Sequence, residues 1–233
     1  MNNLIDVYND TIDKTEYLGK GVTKQYTFND IITKKGYKKP IVKVIPNNSI
    51  DTALSVNKHT AILNMASHKR PGGGVGNGKV AQEECLFRST NLWNCISKDY
   101  YPLAENVCLY TKNALIIKDG NYNLLENYIK ADFITIPAIN LNGKDMPENY
   151  DLLTENKIKL MFSVAYINNC SNIVLGSWGC GVFKNNPEYI AKKFKSVIND
   201  MGSLFDNITF GIINDDNSVD NNYEIFKNIL DNE

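Results

Sequence analysis

Little in this chain supports a function based on surface charge or on metal. Its 25 basic and 26 acidic residues leave a formal net charge of −1, so it has no basic surface to capture nucleic acid, which is not an expected partner. Histidine occurs only at positions 59 and 68. The cysteines, at 85, 95, 108, 170 and 180, are odd in number and form no C-x-x-C pair, so no structural zinc site and no metal are expected. Cys95, Cys108 and Cys170 sit in apolar runs and read as small buried thiols. The start, Met1-Asn2-Asn3-Leu4-Ile5-Asp6, has neither a basic segment nor a long apolar one. No stretch approaches the roughly 20 apolar residues that cross a bilayer, so no membrane partner is expected and the expected location is cytoplasmic. The 233 residues, 43% hydrophobic and 22% charged, suit one soluble domain with or without an appendage.

What the chain does have is glycine in one place. Arg70-Pro71-Gly72-Gly73-Gly74-Val75-Gly76-Asn77-Gly78-Lys79-Val80-Ala81-Gln82-Glu83-Glu84 packs five glycines into seven residues and then presents an amide and two adjacent carboxylates. Glycine lets the backbone take positive φ and approach a ligand closely. A flexible cradle joined to a pair of acids suggests a phosphorylated ligand with acid–base chemistry beside it. Two familiar phosphate motifs fail here. Gly73-x4-Gly78-Lys79 has P-loop spacing, but Val80 stands where a magnesium-holding Ser or Thr is required, and no G-x-G-x-x-G is present. The acids alone also suit a capping pair in a helix's first turn.

In chain order, residues 3–18 carry Leu4, Ile5, Tyr8, Ile12 and Leu18 at helical spacing, and residues 19–40 are lysine-rich and read as a solvated edge loop. Strands are expected at 41–45, 60–64, 107–110, 114–117 (after a Lys112-Asn113 turn), 132–137, 172–176 and 208–213. Helices are expected from Ser49 as a cap, over 85–96 with Cys85, Ser89, Leu92 and Ile96 on one face, and over 152–168. Further helices are expected after the Asn186-Pro187 start and over 219–231. Strands alternating with helices describe an α/β layered domain with a mixed sheet. Both glycine-rich turns, the second being Ser177-Trp178-Gly179-Cys180-Gly181-Val182-Phe183, follow strands and should meet at the carboxyl ends where such sheets bind ligands.

Pro71-Gly72-Gly73-Gly74, seven residues, then Gln82-Glu83-Glu84 resembles the catalytic loop of poly(ADP-ribose) glycohydrolases, in particular their shorter microbial type. Asn64-Met65-Ala66-Ser67, Ile136-Pro137-Ala138-Ile139-Asn140 and Gly176–Phe183 are similar to family segments in order and spacing, although Ile139 stands where proline is more usual. The resemblance runs from about residue 40 to the end and more weakly over the N-terminal helix. It implies a macrodomain-like three-layer α/β/α sandwich over 41–233, with residues 1–40 as a helical, lysine-rich extension packed on it.

It further implies hydrolysis of ribose–ribose glycosidic bonds with release of ADP-ribose, without cofactor or metal, by a monomer. Glu84 would be the acid for the departing oxygen and then the base for water, with a raised pKa, and Glu83 would hold ribose hydroxyls. Gly72, Gly73, Gly74 and Val75 would wrap the distal ribose and diphosphate with backbone N–H groups. Gly179, Cys180, Gly181 and Val182 would form a second diphosphate loop, and Gln82 completes the binding set. Phe183 either stacks on the ribose and shapes its pocket or packs in the core, and Ser67 either reaches the distal ribose or is plain loop. Trp178 reads as packing and His68 receives no role. Cys180 reads as a backbone donor, since no histidine lies near it in sequence. Two other functions stay open: a non-catalytic ADP-ribose-binding macrodomain, and a hydrolase of mono-ADP-ribosylated targets.

Overall fold

Successive side chains of a strand point to opposite faces, so a strand that is apolar at every position needs a covering layer on both sides. Residues 61–63 and 173–175 are two central runs of that kind, and the computed structural model, which describes residues 3–56, 58–215, 218 and 220–231, covers both faces. In order, the elements are α1 (Leu4–Thr15), β1 (Val22–Thr27), β2 (Ile41–Ile45), α2 (Ser49–Val56), β3 (Thr60–Met65), α3 (Gln82–Ser89) and α4 (Leu92–Cys95). They continue with β4 (Val107–Lys118), β5 (Leu124–Ile136), α5 (Tyr150–Ile167), β6 (Asn172–Leu175), α6 (Pro187–Met201), β7 (Asn207–Gly211) and α7 (Asn222–Leu230). One mixed sheet has the order β1-β4-β5-β3-β6-β7-β2. From β5 to β2 all neighbours are parallel, while β4 runs antiparallel to both β1 and β5.

Alternation along β3 and β6 separates two cores. Ala61, Leu63, Ile173 and Leu175 face a layer built by α5, α6 and α7, with Ile158, Phe194 and Phe226 buried in it. Ile62 and Val174 face the other layer, with Ile50, Leu86, Phe87 and Leu92 from α2, α3 and α4. The result is the three-layer α/β/α sandwich with a mixed sheet. Because β3 and β6 are parallel neighbours, the loops leaving their carboxyl ends are neighbours too. That adjacency brings the two glycine-rich turns together.

Several local expectations are corrected. The buried stripe of α1 is Val7, Thr11 and Thr15, not the leucine–isoleucine face, because the threonine hydroxyls are partners for buried polar groups. Lys118 Nζ donates to Thr11 Oγ1 at 2.8 Å and Trp93 Nε1 to Thr15 Oγ1 at 2.7 Å. Residues 22–27, read as loop, are the edge strand β1, whose mostly exposed polar side chains hide the alternation. The two strands expected at 107–117 are the single strand β4, and the supposed turn is a bulge at Lys112-Asn113, with Asn113 at φ 57.

Strand β5 begins at Leu124, well before 132, since its first half is mostly exposed. The helix after the acids breaks at Thr90, where the Asn91 side chain instead accepts the Leu115 N–H at 2.7 Å and ties the break to β4. Ser49 is the first residue of α2, and Asn48 caps it by accepting the Asp51 N–H at 2.9 Å. The closing helix starts at Asn222. Its expected first residue, position 219, lies outside the described residues, as do Met1 and Asn2 of the N-terminal segment. Among the described residues no helix is long and apolar enough to cross a membrane.

Candidate active site

Helix α3 begins with the three residues Gln82-Glu83-Glu84, and all three side chains turn back toward β3 and its loop. Gln82 is clamped to the strand: its Oε1 accepts the Met65 N–H at 2.9 Å, and its Nε2 donates to Leu63 O at 2.6 Å and to Ser49 Oγ at 3.1 Å. Its amide fixes the helix start to the strand end, although the residue also borders the cavity. Glu83 accepts the Ser67 N–H at 2.7 Å, the Gly72 N–H at 3.1 Å and Asn64 Nδ2 at 3.4 Å. Glu84 Oε1 accepts the Gly74 N–H at 2.8 Å. Both acids lie in the first turn of the helix, but their hydrogen bonds come from the preceding loop and from Asn64, not from their own helix.

These bonds occupy N–H groups of the first glycine loop that were expected to face the ligand. Gly72 and Gly74 give their N–H groups to the carboxylates, and the Val75 N–H goes to Gly72 O. Gly72, Gly73, Gly74 and Val75 are also not among the residues that line the cavity. The loop stands behind the acids and aims them. Positive φ at Gly72 (74°) and Gly73 (54°) makes this possible. A Cβ on Gly73 would sit 2.5 Å from Glu84 Oε1 and 3.1 Å from Glu83 Oε2.

The second turn is built differently. The Cys180 N–H closes onto Ser177 O at 2.9 Å, but among the described residues the N–H groups of Gly179, Gly181, Val182 and Phe183 have no partner. Those four residues border the cavity. Three of these N–H groups are consecutive, which is the arrangement of an anion-binding nest. Gly179 holds φ 79°, and a Cβ there would meet Ala138 Cβ and Asn185 Nδ2, both at 2.7 Å. Asn185 pins the turn from below, donating to Ile139 O at 2.9 Å and to Gly179 O at 3.0 Å. Cys180 points into the core, where burial holds its thiol far above the usual range and leaves no nucleophile. Trp178 is buried under the turn and donates to Ile136 O at 3.0 Å. Substituting Gly179→Ala is expected to weaken ADP-ribose binding more than tenfold by calorimetry, with a smaller change in turnover of bound substrate.

Glu83, Glu84, Ser67 and the second turn surround one cavity of about 440 Å³, within the range usual for small-ligand pockets. Glu84 is 8% exposed and Glu83 3%, so both carboxyls reach the cavity with little water around them. Phe183 is a partly buried wall residue whose ring lies edge-on to His68 at 6.4 Å, linking the two loops. His68 carried no expected role. At the far end the cavity reaches Asn48, Tyr122, Ile213 and Asn222. Asn48, Tyr122 and Ile213 come from three separate loops and Asn222 opens α7, and no motif marks them. Asn64, which holds Glu83 from the last turn of β3, lay within a recognised segment but was given no role of its own.

Burial raises the Glu83 carboxyl from 4.5 to about 8, and the neighbouring Glu84 charge adds to the rise. The N–H donors from Ser67, Gly72 and Asn64 act in the opposite direction and are outweighed. A raised folded pKa means that the folded protein keeps a proton the unfolded chain has lost. Its stabilising contribution is complete below about pH 4.5 and is lost as pH climbs to about 8. Over that window the melting temperature should fall more steeply for the wild type than for Glu83→Gln, by the equivalent of a few kcal/mol. Parallel melting curves across the window check this.

Comparison with known proteins identifies the fold and the family. A family model described as microbial-type PARG, catalytic domain, matches residues 3–119, half of the chain. The fold is similar to poly(ADP-ribose) glycohydrolase from Thermomonospora curvata, with TM-score 0.86, 20% identity and coverage of 98% of this chain and 99% of that one. The same enzyme bound to the inhibitor ADP-HPD matches with TM-score 0.85, 21% identity and coverage of 98% and 99%. The Deinococcus radiodurans enzyme in complex with ADP-ribose matches with TM-score 0.78, 23% identity and coverage of 98% and 97%. No curated protein matches by sequence. At these identities the solved structures speak for the fold, and it is the matched span, which contains the whole Gly-Gly-Gly to Gln-Glu-Glu stretch, that decides the family. The chain belongs to the microbial-type poly(ADP-ribose) glycohydrolases.

Proposed function

We propose that Glu84 is the acid and then the base of the reaction that family membership gives this chain, the hydrolysis of ribose–ribose bonds in poly(ADP-ribose) with release of ADP-ribose. Leaving the anomeric carbon creates an oxocarbenium-like state, and the departing oxygen needs a proton. Glu84 sits at the cavity wall with one oxygen fixed by Gly74. Among the described residues the other oxygen has no hydrogen-bond partner, and it is the one placed to give the proton, then to take one from the attacking water. Glu83, fixed by three donors, holds the hydroxyls of the reacting ribose. The open N–H groups of residues 179 and 181–183 take the diphosphate, and Phe183 flanks the sugar. ADP-ribose, with which the Deinococcus radiodurans enzyme forms a complex, is the product that fills the cavity.

The single observation carrying this assignment is that both carboxyls and the unpaired N–H groups of the second turn border the same cavity. Incubation of the purified protein with labelled polymer and, separately, with mono-ADP-ribosylated protein tests it. Release of free ADP-ribose from the polymer is expected, with chelator present or absent. Binding of ADP-ribose with no release from either substrate would make the protein a reader. Release from the mono-modified protein alone would change the substrate.

A further inference from the structure

The end of the sheet opposite the cavity carries a second group of reactive side chains. His59 lies just before β3, Cys170 just before β6, and Asp132 on β5 pairs in register with Ala61. Strands β5, β3 and β6 are neighbours, so residues far apart in sequence converge at the amino-terminal side of β3 and β6. One nitrogen, one sulfur and one carboxylate oxygen from these residues lie within 4.8 Å of one another. Cys170 Sγ is 3.8 Å from Asp132 Oδ2 and 3.9 Å from His59 Nδ1, and His59 Nε2 is 2.9 Å from the same Asp132 oxygen.

We propose that His59, Asp132 and Cys170 form a binding site for a zinc-class divalent cation, separate from the catalytic cavity. A tetrahedral ion with a sulfur bond of about 2.3 Å and nitrogen and oxygen bonds of about 2.0–2.2 Å places its ligand atoms roughly 3.3–3.6 Å apart. Nδ1 of His59 faces the sulfur and Nε2 faces the carboxylate, and with one nitrogen as ligand the three atoms span up to 4.8 Å, so a rotation of the part-exposed His59 ring and a contraction of about 1 Å close the site. Thiolate, imidazole and carboxylate together favour zinc over calcium or magnesium, which take oxygen alone.

The supporting contacts also suit a metal. Asp132 Oδ1 is held by the Asn113 N–H at 2.8 Å, and the Tyr110 hydroxyl donates to Oδ2 at 2.5 Å. Such outer bonds fix a carboxylate ligand in place. The His59 side chain is 46% exposed and Asp132 is fully buried, which leaves an entry path and an open fourth position on the histidine side. On binding, the Cys170 thiol proton leaves to solvent, and the His59 ring proton sits on the nitrogen that does not hold the ion. The same residues would also spell a Cys–His–Asp nucleophile. Cys170 is only 2% exposed, which closes its sulfur to a substrate and opposes that use. The nearby Lys112 ammonium works against a cation, so its removal should tighten binding.

Titrating the full chain with Co²⁺ as a spectroscopic probe decides the matter. One equivalent per chain should bind with a thiolate-to-cobalt charge-transfer band and should be displaced by Zn²⁺. Zn²⁺ alone should raise the melting temperature. The exposed His59→Ala change should weaken binding at least about a hundredfold, Cys170→Ser should remove the band, and Cys85→Ser should leave it intact. Absence of a thiolate band in the wild type overturns the proposal. So does a band that survives His59→Ala in a protein whose circular dichroism is unchanged.

Discussion

Glu84→Gln should release ADP-ribose from the polymer about 10²–10⁴ times more slowly than the wild type, the range that positioned acid–base groups contribute, while binding ADP-ribose within a few-fold. The substitution keeps the shape of the side chain. Its amide oxygen still accepts the Gly74 N–H, which now reaches Glu84 Oε1 at 2.8 Å. What it loses is a transferable proton at the cavity wall. In the proposed assignment the ground-state contacts to the diphosphate come from the second turn and are untouched, so the loss should lie in kcat. Single-turnover release and calorimetric binding on the same preparation separate the two. Unchanged turnover would remove Glu84 from the mechanism.

Gly73→Ala should be nearly as damaging although it deletes no reacting group. At φ 54° an L-residue is strained by roughly 1–2 kcal/mol. The new Cβ also lands 2.5 Å from Glu84 Oε1 and 3.1 Å from Glu83 Oε2. Both carboxyls must shift, and a misplacement of about 1 Å near the reacting centre costs on the order of 10²-fold in rate. Strain of that size in a protein of this length lowers the melting temperature by a few degrees. A drop in kcat of about a hundredfold with near-normal ADP-ribose affinity is the expected pattern. If binding fell and kcat held, the first loop would be a ligand contact after all, and its assigned task of aiming the acids would be wrong.

Much of this was legible in the sequence where local chemistry is strong. The continuously apolar Asn172–Leu175, the Asn186-Pro187 helix start and the paired glycine turns all appear where the residues put them. The carboxyl-end location of the site followed from glycine turns placed after strands. What escaped was decided by partners distant in the chain. Strand β1 is polar because it is an edge, and α1 buries threonines because Lys118 and Trp93 need them.

Spacing could not reveal how the N–H groups are shared. Both glycine turns look like phosphate cradles in sequence. Only the folded geometry gives one turn's donors to Glu83 and Glu84 and leaves the other's open. The His59, Asp132 and Cys170 cluster is hidden for a related reason, since its members are assembled by strand order and not by a motif.

The division of labour between the two turns is most directly tested by amide NMR of ¹⁵N-labelled protein titrated with ADP-ribose. Large shifts and slowed hydrogen exchange are expected at Gly179, Gly181, Val182 and Phe183, with Gly72 and Gly74 already protected before ligand is added and little changed after. Protection that instead appears at Gly72 and Gly74 on binding, with residues 179–183 indifferent, would contradict the account.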